Sequence, residues 1–116
     1  MLPKDSTEAD VRTGCQVAVQ YNCAAFYAPT GYWIDIIKEE LAGSDVLIAS
    51  AVDFPWGQQK ANVKAYETSQ LVDAGAQALD ICINVSAAKD GRWQVVADEL
   101  KAFKDAAQGV VTKAIL

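Results

Sequence analysis

The sequence predicts an α/β fold, a parallel sheet covered by helices, in one domain spanning residues 1–116. Three patterns carry this reading. Short apolar runs alternate along the chain with segments of helical period. Turn signals fall between them, at Gly43, Gly75, Asp90-Gly91 and Gly109. The segments between strands are helices of roughly ten or more residues, which parallel pairing through right-handed crossovers requires.

Ser6 or Thr7 can cap a first helix, with Asp10 as capping-box partner and Val11, Cys15 and Ala18 on one face, ending near Tyr21-Asn22. Residues 24–28 form a short strand closed by Pro29 and Gly31. Ile34, Ile37 and Leu41 then repeat at helical spacing up to Ala42-Gly43. A second strand at 46–52 runs into Asp53-Phe54-Pro55-Trp56-Gly57, and from about Gln58 the chain is helical until Gly75. A third strand covers 79–85. After the Asp90-Gly91 turn, Trp93, Val96, Leu100, Phe103 and Ala107 line one helix face, and a last strand covers 110–116. The predicted order is αβαβαβαβ.

The hydrophobic fraction of 52%, with three Trp, four Tyr and three Phe, supplies a core for a single domain. A net charge of −5 and scattered basic residues exclude an electrostatic grip on nucleic acid or on an anionic membrane. The N-terminal residues lack an apolar signal core and the apolar runs are shorter than a membrane span, so a soluble, cytoplasmic protein is expected. Three cysteines without Cys-x-x-Cys spacing, and no histidine, argue against a disulfide framework or a zinc site. Catalysis would have to run on carboxylates, lysines or tyrosines.

Asp80 stands inside the run Leu79-Asp80-Ile81-Cys82-Ile83-Asn84-Val85. A carboxylate in so apolar a strand is expected to be buried, and that is costly unless a cation or hydrogen-bond donors receive it. Lys113, inside Val110-Val111-Thr112-Lys113-Ala114-Ile115-Leu116, is a candidate partner. Taken alone, the pair also fits an ion pair holding two strands in register. A doubly wound sheet and a barrel both remain open. The third strand favours the barrel, because the two-residue period puts Asp80, Cys82 and Asn84 on one face and Leu79, Ile81, Ile83 and Val85 on the other. Four such strands amount to about half of an eight-stranded barrel.

The signature Phe54-Pro55-x-Gly57, then Lys64 and Glu67, then Gly75-Ala76 and Leu79-Asp80-Ile81-x-Ile83-Asn84, resembles the 2-deoxyribose-5-phosphate aldolase family. Weaker matches continue through Leu2-Pro3-Lys4-Asp5-Ser6-Thr7, residues 24–29, Asp90-Gly91 and Thr112-Lys113-Ala114-Ile115-Leu116. The resemblance implies a TIM (β/α)8 barrel of which this chain carries about strands two to five. It also implies a class I aldolase that cleaves 2-deoxy-D-ribose 5-phosphate to glyceraldehyde 3-phosphate and acetaldehyde through a lysine Schiff base, with neither metal nor organic cofactor.

By that resemblance Asp80 is the aspartate of the proton relay and Lys113 its charged strand-five neighbour, while Phe54 and Asn84 are expected on the substrate side. The Schiff-base lysine and the phosphate-binding loops fall in the part of the family's barrel that this sequence does not match. Asp53 stands where the family usually has Gly or Asn, and Phe26 where Cys is frequent. The expected partners are a small phosphorylated sugar or aldehyde, and either a second copy or a complementary barrel fragment. The competing reading is a non-catalytic half-barrel that associates through its open edges. Lys64 and Glu67, three apart on a helix, are expected to form a solvated pair. Tyr21, Phe26, Tyr27, Tyr32 and Trp33 are expected as core and helix packing.

Overall fold

The computed structural model describes residues 2–116. Helix α1 spans Glu8–Gln20 and opens with the expected capping box: the Asp10 carboxylate accepts from the Thr7 amide at 2.8 Å, and the Asp10 amide donates to the Thr7 hydroxyl at 3.4 Å. Val11, Cys15 and Ala18 form its buried stripe. Burial pushes the Cys15 thiol up to about 11, so this cysteine is an inert packing residue.

Strand β1 is Ala25–Ala28. A 3-10 turn at Gly31–Trp33 leads into α2, Ile34–Glu40, and strand β2 follows at Leu47–Val52. Helix α3, Ala61–Ala74, ends at Gly75, whose φ of 113° supplies the left-handed stop predicted for it. Strand β3 is Ala78–Cys82, α5 is Trp93–Ala106 and β4 is Val111–Ile115.

The third strand is shorter than its apolar run. A helix not anticipated from the sequence, α4 at Val85–Lys89, begins where 79–85 was expected to continue as strand. The Asn84 side chain accepts from the Ala87 amide at 2.9 Å, so its capping preference ends the extended stretch despite the apolar residues beside it.

All strands pair in parallel, in the order β1-β2-β3-β4. A doubly wound sheet reverses its order at a switch point. Here the spatial order follows the sequence, as in a barrel, and the sheet is not closed. Ile48, Val52, Leu79 and Ile81 face one side, where Val11, Cys15, Ile34, Ile37, Leu71 and Phe103 of the helices cover them in one apolar core. By the two-residue period Tyr27, Ala49, Ala51, Asp80, Cys82 and Lys113 face the other side.

The aromatic residues divide differently from the expectation. Phe26 and Trp33 pack against the core, but Tyr21 is 71% and Tyr32 79% exposed. Among the described residues no helix is long and apolar enough to cross a membrane.

Candidate active site

Three side chains converge on the helix-free face. Asp80 and Lys113 are direct register partners in the β3–β4 ladder, so parallel pairing alone sets their side chains beside each other. Lys113 Nζ lies 3.0 Å from Asp80 Oδ2. The other carboxylate oxygen, Oδ1, accepts a 2.6 Å hydrogen bond from the Tyr27 hydroxyl. Tyr27 sits on β1 and must cross β2 to reach β3. It can do so because β2 presents only Ala49 and Ala51 at that level, the register partners of Tyr27 and Asp80. The Lys113 ammonium also lies over the Tyr27 ring, 4.9 Å from its centroid.

The burial differs from the expectation of two charges hidden among aliphatic residues. The Asp80 side chain keeps 13% of its exposure and Lys113 keeps 57%, because the face they share is open. The Tyr27 hydroxyl and the Asp80 carboxylate beside it raise the Lys113 ammonium above its ordinary value. Burial, and then the Asp80 carboxylate, push the Tyr27 hydroxyl up. The group is therefore a tyrosine hydroxyl donating to a carboxylate that is paired with an ammonium.

A second polar cluster lies at the C-terminal ends of β2 and β3, the end at which barrel enzymes carry their sites. Lys64 is completely buried. Its ammonium donates to the Gly57 and Cys82 carbonyls at 2.8 Å each and to Glu99 Oε2 at 2.7 Å, with Asp53 Oδ2 at 3.5 Å. Glu99, 2% exposed, accepts from the Asn84 amide through its other oxygen at 2.7 Å. Two helices and the loops after two strands are thus tied through one lysine. The solvated Lys64–Glu67 pair is not what forms. Lys64 shares the inward stripe of α3 with Thr68 and Leu71, while Glu67 turns aside to accept from the Asp53 amide at 2.9 Å. Loss of water around it raises the Glu67 carboxyl.

Local backbone geometry explains part of this sequence. Asp53 has φ of 54°, in the left-handed region where Gly, Asn and Asp are the tolerated residues. An Asp where the resemblance leads one to expect Gly or Asn is therefore a change within the set the turn admits. Gly57 has φ of 68°, and a Cβ there would stand 2.1 Å from the Ile83 carbonyl oxygen. That turn packs directly on the end of β3.

Of the residues singled out from sequence, Asp80 and Lys113 are brought together. Phe54 lines an open groove of about 620 Å³ with Leu2, Pro3, Trp33 and Pro55, whose lining does not include Asp80. The Asn84 side chain is engaged in capping α4, and its amide is held by Glu99. Lys64 and Tyr27 stand in roles other than the solvated pair and the core packing expected of them, and Glu99 was not singled out from the sequence. Lys64 and Glu99 left a detectable sign: each falls on the apolar stripe of its own helix, Lys64 with Leu71 and Glu99 with Val96 and Phe103. Tyr27 left none, since its partner lies two strands away.

In-order parallel strands, helices packed on one face and a carboxylate–ammonium pair on the other define part of a barrel-type α/β protein. The chain is homologous along its whole length to deoxyribose-phosphate aldolases. It is 34% identical over 116 residues to deoxyribose-phosphate aldolase 1 of Mesoplasma florum, covering 100% of this chain and 52% of that protein. It superposes with a TM-score of 0.91 on QR15, an aldolase, at 26% identity, covering 100% of this chain and 51% of the other. The tetrameric deoxyribose phosphate aldolase of Aeropyrum pernix gives a TM-score of 0.76 at 29% identity, over 100% of this chain and 48% of that one. The chain thus spans about half the length of the curated relatives it matches. No protein-family model matches it.

Proposed function

We propose that the chain carries the acid–base side of a deoxyribose-phosphate aldolase site, acting on 2-deoxyribose 5-phosphate. The observation that supports this is the Asp80 carboxylate on the open face of β3, held by Lys113 at 3.0 Å and Tyr27 at 2.6 Å. In class I aldol chemistry an amine adds to the carbonyl to give a carbinolamine. A general acid must then protonate the hydroxyl so that it leaves as water and the iminium forms. Asp80, once protonated, would deliver that proton and recover its carboxylate charge beside Lys113. Phe54 and Asn84 complete the proposal on the substrate side, through their places in the loops after β2 and β3. A cytoplasmic location goes with this reading, since a charged sugar phosphate is retained where it is made.

The test is complementation. The chain would be refolded together with the half of the Mesoplasma florum enzyme that it does not match, and acetaldehyde release from 2-deoxyribose 5-phosphate followed. Activity present in the mixture and absent from either half supports the reading. A stable complex of the two halves without turnover refutes it.

Lys113 is expected not to be the Schiff-base nucleophile. That role needs a neutral amine, and its neighbours hold this one as an ammonium to still higher pH than an ordinary lysine. Acetaldehyde with borohydride near pH 7 should leave Lys113 unmodified in a peptide map. A single saturable adduct on Lys113, lost on denaturation, would assign the nucleophile to this chain instead.

A second reading, association through the sheet edges, is favoured by β1 and β4 each being paired on one side only. Light scattering at tens of micromolar, roughly the range where weak association becomes visible, distinguishes an oligomer from a monomer.

A further inference from the structure

We propose that Tyr27 is a positioning residue for the Asp80–Lys113 pair, its hydroxyl fixing one carboxylate oxygen and its ring seating the ammonium. The inference deepens the aldolase reading, which gives the pair its chemical task. It nevertheless stands on geometry that can be probed without turnover.

An exposed lysine facing a carboxylate on a neighbouring strand ordinarily samples many arrangements, and such pairs hold little fixed geometry. Lys113 is exposed in this way. What distinguishes the pair is the third group. Tyr27 approaches from β1, on the side of Asp80 away from β4, and takes Oδ1 at 2.6 Å. The carboxylate is left with Oδ2 for Lys113 at 3.0 Å. The same tyrosine presents its ring to the ammonium at 4.9 Å, so one residue contacts both members of the pair. The route across β2 exists only because Ala49 and Ala51 lie under it, both buried although they stand on the face that carries no helices.

Tyr27 could instead be a lid over these alanines and nothing more. The two roles separate experimentally. A lid contributes to stability when truncated but leaves the proton affinity of Lys113 alone. A positioning residue moves it, because the Tyr27 ring lies 4.9 Å from the ammonium and Tyr27 and Asp80 together raise it. The titratable groups that act on Lys113 are Tyr27 and Asp80; Cys82, on the same face of β3, feels Asp53, Lys64 and Glu67 as well as Asp80. None of Cys82, Asp53, Lys64 and Glu67 contacts Lys113, so they form a constant background between variants.

The experiment uses the full chain with Tyr27→Phe, which keeps the ring and removes the hydroxyl, and Tyr27→Leu, which removes both. Lysine side-chain NMR follows the titration of Lys113, and peptide mapping follows its rate of reductive methylation by formaldehyde and a cyanoborohydride reductant at about pH 9. Loss of the hydroxyl is expected to lower the Lys113 midpoint in Tyr27→Phe, and loss of the ring beneath the ammonium to lower it further in Tyr27→Leu. The neutral fraction, and with it the methylation rate, should rise roughly threefold to tenfold in Tyr27→Phe. Unchanged midpoint and rate in Tyr27→Phe, with a native circular dichroism spectrum, would overturn the proposal even if Tyr27→Leu fails to fold. Failure of the complemented halves to turn over sugar phosphate, with the Lys113 shift intact, would instead remove the aldolase reading and leave Tyr27 in its role.

Discussion

Replacing Lys64 with methionine is expected to destabilise the chain by about 3–5 kcal/mol, the usual cost of removing one partner from a buried ion pair. Glu99 would remain 2% exposed with no cation on Oε2, and the Gly57 and Cys82 carbonyls would each lose their donor. Urea unfolding should show a lower midpoint with a similar slope, the signature of lost stability in an unchanged fold. Adding Glu99→Gln to Lys64→Met should recover a substantial part of the loss. Glutamine keeps an acceptor for the Asn84 amide and carries no buried charge. A loss below about 1 kcal/mol in the single variant would mean that water enters the cluster and carries the charge.

The second large effect falls on chemistry. In the complemented barrel, Asp80→Asn is expected to lower turnover about 10²- to 10⁴-fold, the range contributed by a positioned general acid or base. Its effect on folding should be small by comparison. Asparagine keeps the shape of the side chain and an acceptor for the Tyr27 hydroxyl, and the ion pair it abolishes is half open to solvent. Steady-state kinetics and thermal melts on the same samples give both numbers. A collapse in melting temperature with turnover preserved would make Asp80 a structural residue.

The sequence was informative wherever a local rule was strong. The Thr7–Asp10 capping box, the Gly75 stop and the α1 stripe needed only neighbouring residues to act, and the structure contains each of them; the α5 stripe holds at Val96 and Phe103 but not at Trp93, which is exposed, and it admits the buried Glu99. Asp80 and Lys113 could be paired because each is one charge in an apolar strand and parallel register does the rest. What could not be read depended on which competing local preference prevailed or on distant geometry. Asn84 looked like strand because its neighbours are apolar, and capping overrode them. Lys64 looked solvated because its spacing to Glu67 fits a surface pair. Its true partner is 35 residues away on another helix. Tyr27 looked like core because aromatic residues cluster around it, yet it points to the opposite face and bonds a residue 53 positions on.

The buried lysine also has a consequence for motion. Lys64 and Glu99 fasten the turn at Gly57, the end of β3 at Cys82 and the start of α4 at Asn84 to α3 and α5, so none of these can open without uncovering a charge. The loops beyond β2 and β3 should therefore not fluctuate independently, as surface loops usually do, but open with the helices as one cooperative unit. Amide protons there would exchange with solvent on the slow clock of the two helices. If so, the exposed face that carries Asp80 would be backed by a floor that opens only as a unit, with local mobility left to the side chains that stand on it.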